Sequence, residues 1–443
     1  MITVDFAALR VHNVALQVHT EPQGFARGFP AMAITNTEFS TLLDLAKGGD
    51  VDAQAALGDL YFNGWGVRTD LALARNWYTR AAELGHAHSC YRLAQMHARG
   101  NGVVQDAQHA REWFERAAEL GYAPAQAALA WFHQRGIGGP VDLERALHWY
   151  RQGAIGGSAV ARFNLGLMCA LGQGVDKDLT EAITWYRAAS AQGYPHAQLN
   201  LAMAYLRGEG VERDPAEALR WYLAAANQGY AKAQYHLGLL YASGEGIPQD
   251  DRIAAQWQRR AAEQGYHRAQ YQLGLIHRHG LGVRADDAEA LRWFLEAAEQ
   301  GHPKAQYQVA MAYLRGEGLG RDPVAGREWL RKAAEGGYHK AQYRHGLALL
   351  ERSDESQAGA VAARAWLQRA ATQGNANALY ALGVLHASGE GGPRDLLAAY
   401  RCLAQAEREG DERASAHLTR VAARLTAEQI EGLQAELGRR DSA

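Results

Sequence analysis

Apolar residues in this chain recur at two spacings, three or four residues apart within short blocks and 36 residues apart between blocks. In the block opening at Ala197, positions 1, 5 and 6 are small or aliphatic (Ala197, Leu201, Ala202) and position 9 is aromatic (Tyr205), which makes one face of a helix. The small residue at position 6 predicts close approach of a neighbouring helix, so a large side chain there should cost stability. A second block puts Ala at 22, Trp at 25, an aromatic or Leu at 26 and Ala at 29, again on one helical face. Between the blocks, pairs such as Gly208-Glu209-Gly210 and Gly244-Glu245-Gly246 end the first helix, because glycine accepts the left-handed conformation at a helix C-terminus. An Asp follows at position 18 (Asp70, Asp106, Asp142, Asp178, Asp214, Asp250, Asp286, Asp322 and Asp395), placed to cap the second helix.

Ala-Gln pairs at 197, 233, 269, 305 and 341 reopen the frame, and extending it gives ten units beginning at 53, 89, 125, 161, 197, 233, 269, 305, 341 and 378, with one extra residue in the ninth. A chain of 443 residues would otherwise suggest about three domains; the period replaces them with one all-α array of helix-turn-helix units over residues 53–413. Residues 37–52 read as an N-terminal capping helix and residues 414–443 as C-terminal capping helices, the last beginning near Thr426, since an array needs polar ends. Residues 1–36 form an irregular arm, read as a self-ligand for the array or as a homodimer contact. Nine Trp share one slot (Trp77, Trp113, Trp149, Trp185, Trp221, Trp257, Trp293, Trp329 and Trp366), and that periodicity marks them as core between repeats rather than a stacking site.

The unit Ala-Gln-x-x-Leu-Gly-x-x-Tyr-x-x-Gly-x-Gly-x-x-x-Asp-x-x-x-Ala-x-x-Trp-x-x-x-Ala-Ala-x-x-Gly resembles the Sel-one-like repeat (SLR) family, relatives of the tetratricopeptide repeats, over residues 53–413. The resemblance implies a right-handed α-α superhelix, a solenoid of paired antiparallel helices that serves as a non-enzymatic adaptor, scaffold or regulator, with no common catalytic residues. The ninth unit departs from it, with Arg352 in place of the first turn glycine and a polar connector from Glu351 to Gly359, and the tenth has Cys402 in the Trp slot.

The family's geometry further implies that positions 3, 4, 7, 10, 11 and 36 face a concave groove. Position 36 then supplies Lys232, Arg268, Lys304 and Lys340, and position 11 supplies Arg207 and Arg315, with Arg278 and Arg344 nearby. Position 3 supplies Tyr235, Tyr271, Tyr307, Tyr343 and Tyr380, and position 4 supplies Asn164, Asn200, Gln272 and Gln308. Aromatics and Arg are the usual hot-spot types at interfaces. The expected ligand is a protein segment that is acidic or bears a C-terminal carboxylate, held over residues 160–345. Against this, the cations are equally read as solvated or paired with Glu263, Glu299 and Glu335, and the tyrosines as half-buried packing. An immunity-type inhibitor of a bacterial toxin is the alternative within binding proteins, and a hydrolase the remote one.

Charge and chemistry narrow the classes further. The 46 Lys and Arg nearly balance the 48 Asp and Glu, for a formal net charge of −2, so no whole-protein attraction to nucleic acid or membrane is expected. Cys90, Cys169 and Cys402 share no repeat position and read as buried thiols. His86-x-His88 and His277-x-His279 lack a third ligand nearby, and His97, His133, His277 and His386 occupy the Tyr slot at position 9, so neither metal nor cofactor is expected. The Gly-x-Gly turns follow helices and lack the Lys-Ser/Thr of a phosphate loop, and no G-x-S-x-G elbow occurs. The start carries no secretory pattern and no run approaches a membrane span, so the expectation is cytoplasmic, or periplasmic should a leader precede it.

Overall fold

The computed structural model of the protein describes residues 34–318, 320–351 and 357–440; most of the N-terminal arm and of the 351–359 connector lies outside them. Among the described residues the chain is entirely helical, with 23 helices and no strand. A representative repeat pairs Pro195–Arg207 with Pro215–Asn227. Each first helix begins two residues ahead of the Ala-Gln frame, as Ala231–Ser243 does for Ala233.

The helix ends follow from local chemistry. Asp214 accepts from the backbone N–H of Ala216 and of Glu217, both at 3.0 Å, which satisfies two donors that the helix itself leaves open. All nine position-18 aspartates cap their helices through the side chain, each accepting one or two backbone N–H groups. Gly208, at φ 73°, closes the first helix by donating to Ala204 O. Gly210 answers to a different constraint: besides φ 70°, a Cβ there would strike the carbonyl of Leu179, the first residue of the preceding repeat's second helix. The second glycine of the turn is therefore a contact between repeats.

Packing within a hairpin depends on the small residue at position 6. A Cβ on Gly274 would lie 2.5 Å from Phe294 Cε1, and one on Gly58 would lie 2.5 Å from Tyr78, so the large ring at position 26 packs directly on the backbone of its partner helix. The Gln of each Ala-Gln pair joins one repeat to the next. Gln270 is buried and donates to Ala262 O at 3.3 Å, in the preceding second helix, while its own Oε1 accepts from Gln300 Nε2 at 2.8 Å. Gln228–Gln198, Gln264–Gln234 and Gln373–Gln342 repeat this pairing.

The chain divides into two compact units, residues 1–228 and 229–443. In the first, Tyr78, Phe114, Tyr150 and Tyr186 anchor the core; in the second, Phe294, Leu330, Leu367 and Leu403 do. Trp77, Trp257 and Trp293 are buried and the other six of the Trp slot are half-buried against the same cores, as expected of packing residues. Their outer faces are often covered by a cation, such as Arg260 at 4.4 Å from the Trp257 ring and Lys332 at 4.5 Å from Trp329.

Helix Asn36–Lys47 starts from a capping box between Thr35 and Glu38. At the other end, Arg413–Ala422 and Ala427–Arg440 follow the last repeat, and Thr426 and Gln429 exchange side-chain-to-backbone hydrogen bonds at 3.0 and 3.2 Å. Leu433 and Leu437 bury against the tenth repeat.

Candidate protein-binding face

Within residues 229–443, Lys232, Arg268, Lys304 and Lys340 are each the second residue of a first helix, in Ala231–Ser243, His267–His279, Pro303–Arg315 and His339–Leu350. None of these four helices carries an acid in its first turn, so the cations add to the positive end of each helix dipole. No ion pair joins them to Glu263, Glu299, Glu335 or any other carboxylate among the described residues; Glu335 is engaged by Arg331 instead.

The cations feel one another. Burial and then the neighbouring Arg268 push Lys232 below its ordinary value. His302 is held down to about 4, first by burial and then by His267, Lys304 and Arg268. Burial and then Arg268 lower His267, and burial followed by Lys340 and Lys304 lowers His339. Each step of this row thus falls within the field of the next, which makes a continuous belt of positive charge with histidines set into it. The histidines at positions 34 and 35 were not singled out from the sequence, where 302 simply replaces the Tyr common at that turn.

The other residues expected at the site are more committed to the scaffold. Tyr235 meets Tyr266 edge-on at 5.3 Å, Tyr307 meets Tyr338 at 5.2 Å, and Tyr271 stacks on His302 at 4.8 Å. The Gln272 amide reaches the Tyr235 hydroxyl, and that of Gln308 reaches Tyr271. Tyr343 is half-buried and its hydroxyl faces Arg413. Arg278 donates to Gln308 Oε1 at 2.6 Å and lies over Phe294, while Arg315 pairs with Glu317 at 3.4 Å. Arg344 is exposed and makes no ion pair among the described residues. In residues 1–228, Asn164 donates to Val160 O at 2.9 Å, Asn200 lies against the Tyr186 hydroxyl, and Arg207 pairs with Glu209 at 3.8 Å.

The corresponding face of the first unit holds a cluster that sequence reading missed. Asp59 accepts from Tyr78 at 2.6 Å, from His88 Nε2 at 3.2 Å and lies 3.3 Å from Arg92 Nε. Arg92 is buried, also donates to Gln95 Oε1, and sits 4.3 Å from the Phe62 ring. Despite its burial, Asp59 is held below the usual carboxylate range by the His88 hydrogen bond and by the charges of His88 and Arg92. Charge here is cancelled internally.

The described residues assemble no group of three His, Cys, Asp or Glu suited to a metal ion, and include no helix long and apolar enough to cross a membrane. Cys90 and Cys169 are buried and Cys402 half-buried, all as free thiols, with Cys169 and Cys402 pushed up to about 11 chiefly by burial. The Tyr-slot His133 and His277 are buried; each accepts from an arginine, Arg111 at 3.4 Å and Arg259 at 3.2 Å, a role added to the packing expected of them.

The Sel1 repeat model matches ten consecutive segments, 51–86, 87–122, 123–158, 159–194, 195–230, 231–266, 267–302, 303–338, 339–375 and 376–411. The chain is similar to the crystal structure of c5321, a protective antigen of uropathogenic Escherichia coli strains with an SLR fold. The two are 29% identical over 90% of this chain and 93% of that one, with a TM-score of 0.60. A Sel1 repeat protein from Oxalobacter formigenes is 34% identical over 70% of this chain and 89% of its own, with a TM-score of 0.54. No curated protein matches the chain.

Proposed function

Because this chain belongs to the Sel1 repeat family, whose helical arrays generally mediate protein–protein interaction, we propose that its belt of Lys232, Arg268, Lys304 and Lys340 docks an acidic segment of a partner protein. One observation carries the reading: four cations, one per consecutive repeat, have no carboxylate partner among the described residues, and Arg268, Lys304 and Lys340 add to burial in holding down the histidines between them. Unpaired like charges held side by side destabilise the free protein slightly and become favourable once a complementary chain covers them. The ring faces of Tyr235, Tyr271, Tyr307 and Tyr343 lie beside the belt as half-buried amphipathic surface, and exposed Arg344 extends it. The scaffold itself is non-catalytic in this reading, and an immunity-type inhibitor would be one case of it.

The test is binding of an N-acetylated octa-aspartate peptide, followed by fluorescence anisotropy at low salt. The intact chain binds it, and the K232E/K304E/K340E variant binds at least about 100-fold more weakly, with a shallower dependence on salt. Equal affinity of the two chains removes the belt as the docking surface.

A further inference from the structure

Two histidines of the belt have a fixed hydrogen-bonding sense. His302 is the N-cap of Pro303–Arg315, and its Nδ1 accepts from the backbone N–H of Ala305 at 3.2 Å. A backbone N–H only donates, so Nδ1 is unprotonated and the ring's proton sits on Nε2. His339 repeats this one unit on: its Nδ1 lies 3.0 Å from Asn375 Nδ2, whose amide sense is set because Asn375 Oδ1 accepts from Ala378 N–H at 2.9 Å. His339 therefore also carries its proton on Nε2. Neither Nε2 is held by another group among the described residues, and neither is walled off from solvent. The charged and titratable groups facing His302 are His267 and Arg268 from the preceding first helix and Lys304 from its own; Tyr271 stacks on its ring at 4.8 Å. His339 faces Lys340 on its own helix and Lys304 on the one before, with Tyr338 at 5.4 Å. Burial first, and then these cations, disfavour the charged form of both rings.

We infer that His302, and His339 one repeat on, are neutral hydrogen-bond donors of the binding face, offering Nε2–H to carboxylate oxygens of the docked segment beside the ammonium groups of Lys304 and Lys340. This rests on the acidic-segment reading above and deepens it, since it assigns two ligand-contacting residues that carry no charge. Alternating a fixed neutral donor with a mobile cation gives direction as well as attraction: the lysines draw the segment in, and the rings select oxygen acceptors at one orientation.

The full-length chain, its His302→Phe variant and its Lys304→Gln variant are titrated with the same octa-aspartate probe at several salt concentrations and from pH 5.5 to 8. Phe keeps an aromatic ring against Tyr271, and the array tolerates turns without a side-chain cap, as at Tyr230 and Tyr266. The expected result is a roughly fivefold weaker Kd for His302→Phe with an unchanged salt slope, a reduced slope for Lys304→Gln, and a wild-type Kd nearly flat with pH. In parallel, NMR of the wild-type histidines shows the Nε2–H form of His302 in the free protein and a shift of that proton on adding probe, a measurement that needs no variant. Wild-type affinity for the probe in His302→Phe, or an unmoved His302 signal, overturns the inference and leaves the acidic-segment reading standing. A tenfold gain in wild-type affinity from pH 8 to 5.5 that vanishes in His302→Phe also overturns it, since the ring would then act as a cation. Failure of the wild-type chain to bind the probe at all overturns both readings.

Discussion

Residues 1–228 and residues 229–443 are written on one repeat frame, yet they treat the start of the first helix in opposite ways. Position 36 is Asp52, His88, Pro124, Val160 and His196 in the first unit, and Lys232, Arg268, Lys304, Lys340 and Asn377 in the second. Where the first unit does bring charge to this face, it cancels it at once, with Asp59 serving Arg92, His88 and Tyr78 together. The second unit lines up its cations and pairs none of the four with an acid among the described residues. A repeat frame thus settles where side chains stand while leaving open whether the protein spends them on itself or leaves them for a partner.

The contrast breaks most sharply at Asp59. Asp59→Ala strands the buried Arg92 and should cost about 3 kcal/mol in urea unfolding, whereas Lys232→Ala, which loses no counter-ion, should leave stability unchanged or slightly raised. Acid sharpens it next. The unfolded His302 titrates near its ordinary value of ~6.5 and the folded one near 4, so between those pH values the unfolded chain binds the extra proton and folding weakens as pH falls. The loss amounts to at most about 3 kcal/mol, is complete near pH 4, and should be missing from thermal melts of His302→Phe. Asp59 acts in the same direction at lower pH: its lowered folded value contributes stability above ~3.9, which is lost on further acidification. The smallest effect tests what the two units share. Gln300→Ala deprives Gln270 Oε1 of its donor and should cost about 1 kcal/mol by urea unfolding, with Gln228→Ala in the first unit costing a similar amount through Gln198.

Much of this architecture was legible in the sequence because it repeats. Helix positions, Asp caps, the left-handed first glycine and the small residue at position 6 each follow from chemistry local to one hairpin, and ten copies average out the exceptions. Features that pair side chains far apart in the sequence were not legible. The Gln270–Gln300 bond links two ordinary glutamines 30 residues apart. Asp59 and Arg92 belong to different units, and only their meeting makes either notable. Of the belt, the four cations could be read from their register, but their freedom from Glu263, Glu299 and Glu335 depended on side-chain direction. The histidines were hidden because residue 302 fills a slot where Tyr is common, and only the Ala305 N–H reveals the sense of its ring.

The second turn glycine bears on how such a chain can be edited. Surface turns ordinarily accept inserted residues, tags or reporter loops, but the turn at Gly208–Gly210 rests on the carbonyl of Leu179, and its counterpart at Gly282 rests on that of Asp251. Lengthening one would prise two neighbouring repeats apart. Length change is better accommodated in whole 36-residue modules, or at the 351–359 connector, where the chain already carries an extra residue and has exchanged its first glycine for Arg352. A belt of this kind would then grow or shrink by one cation per module, as a ruler is cut at its marks.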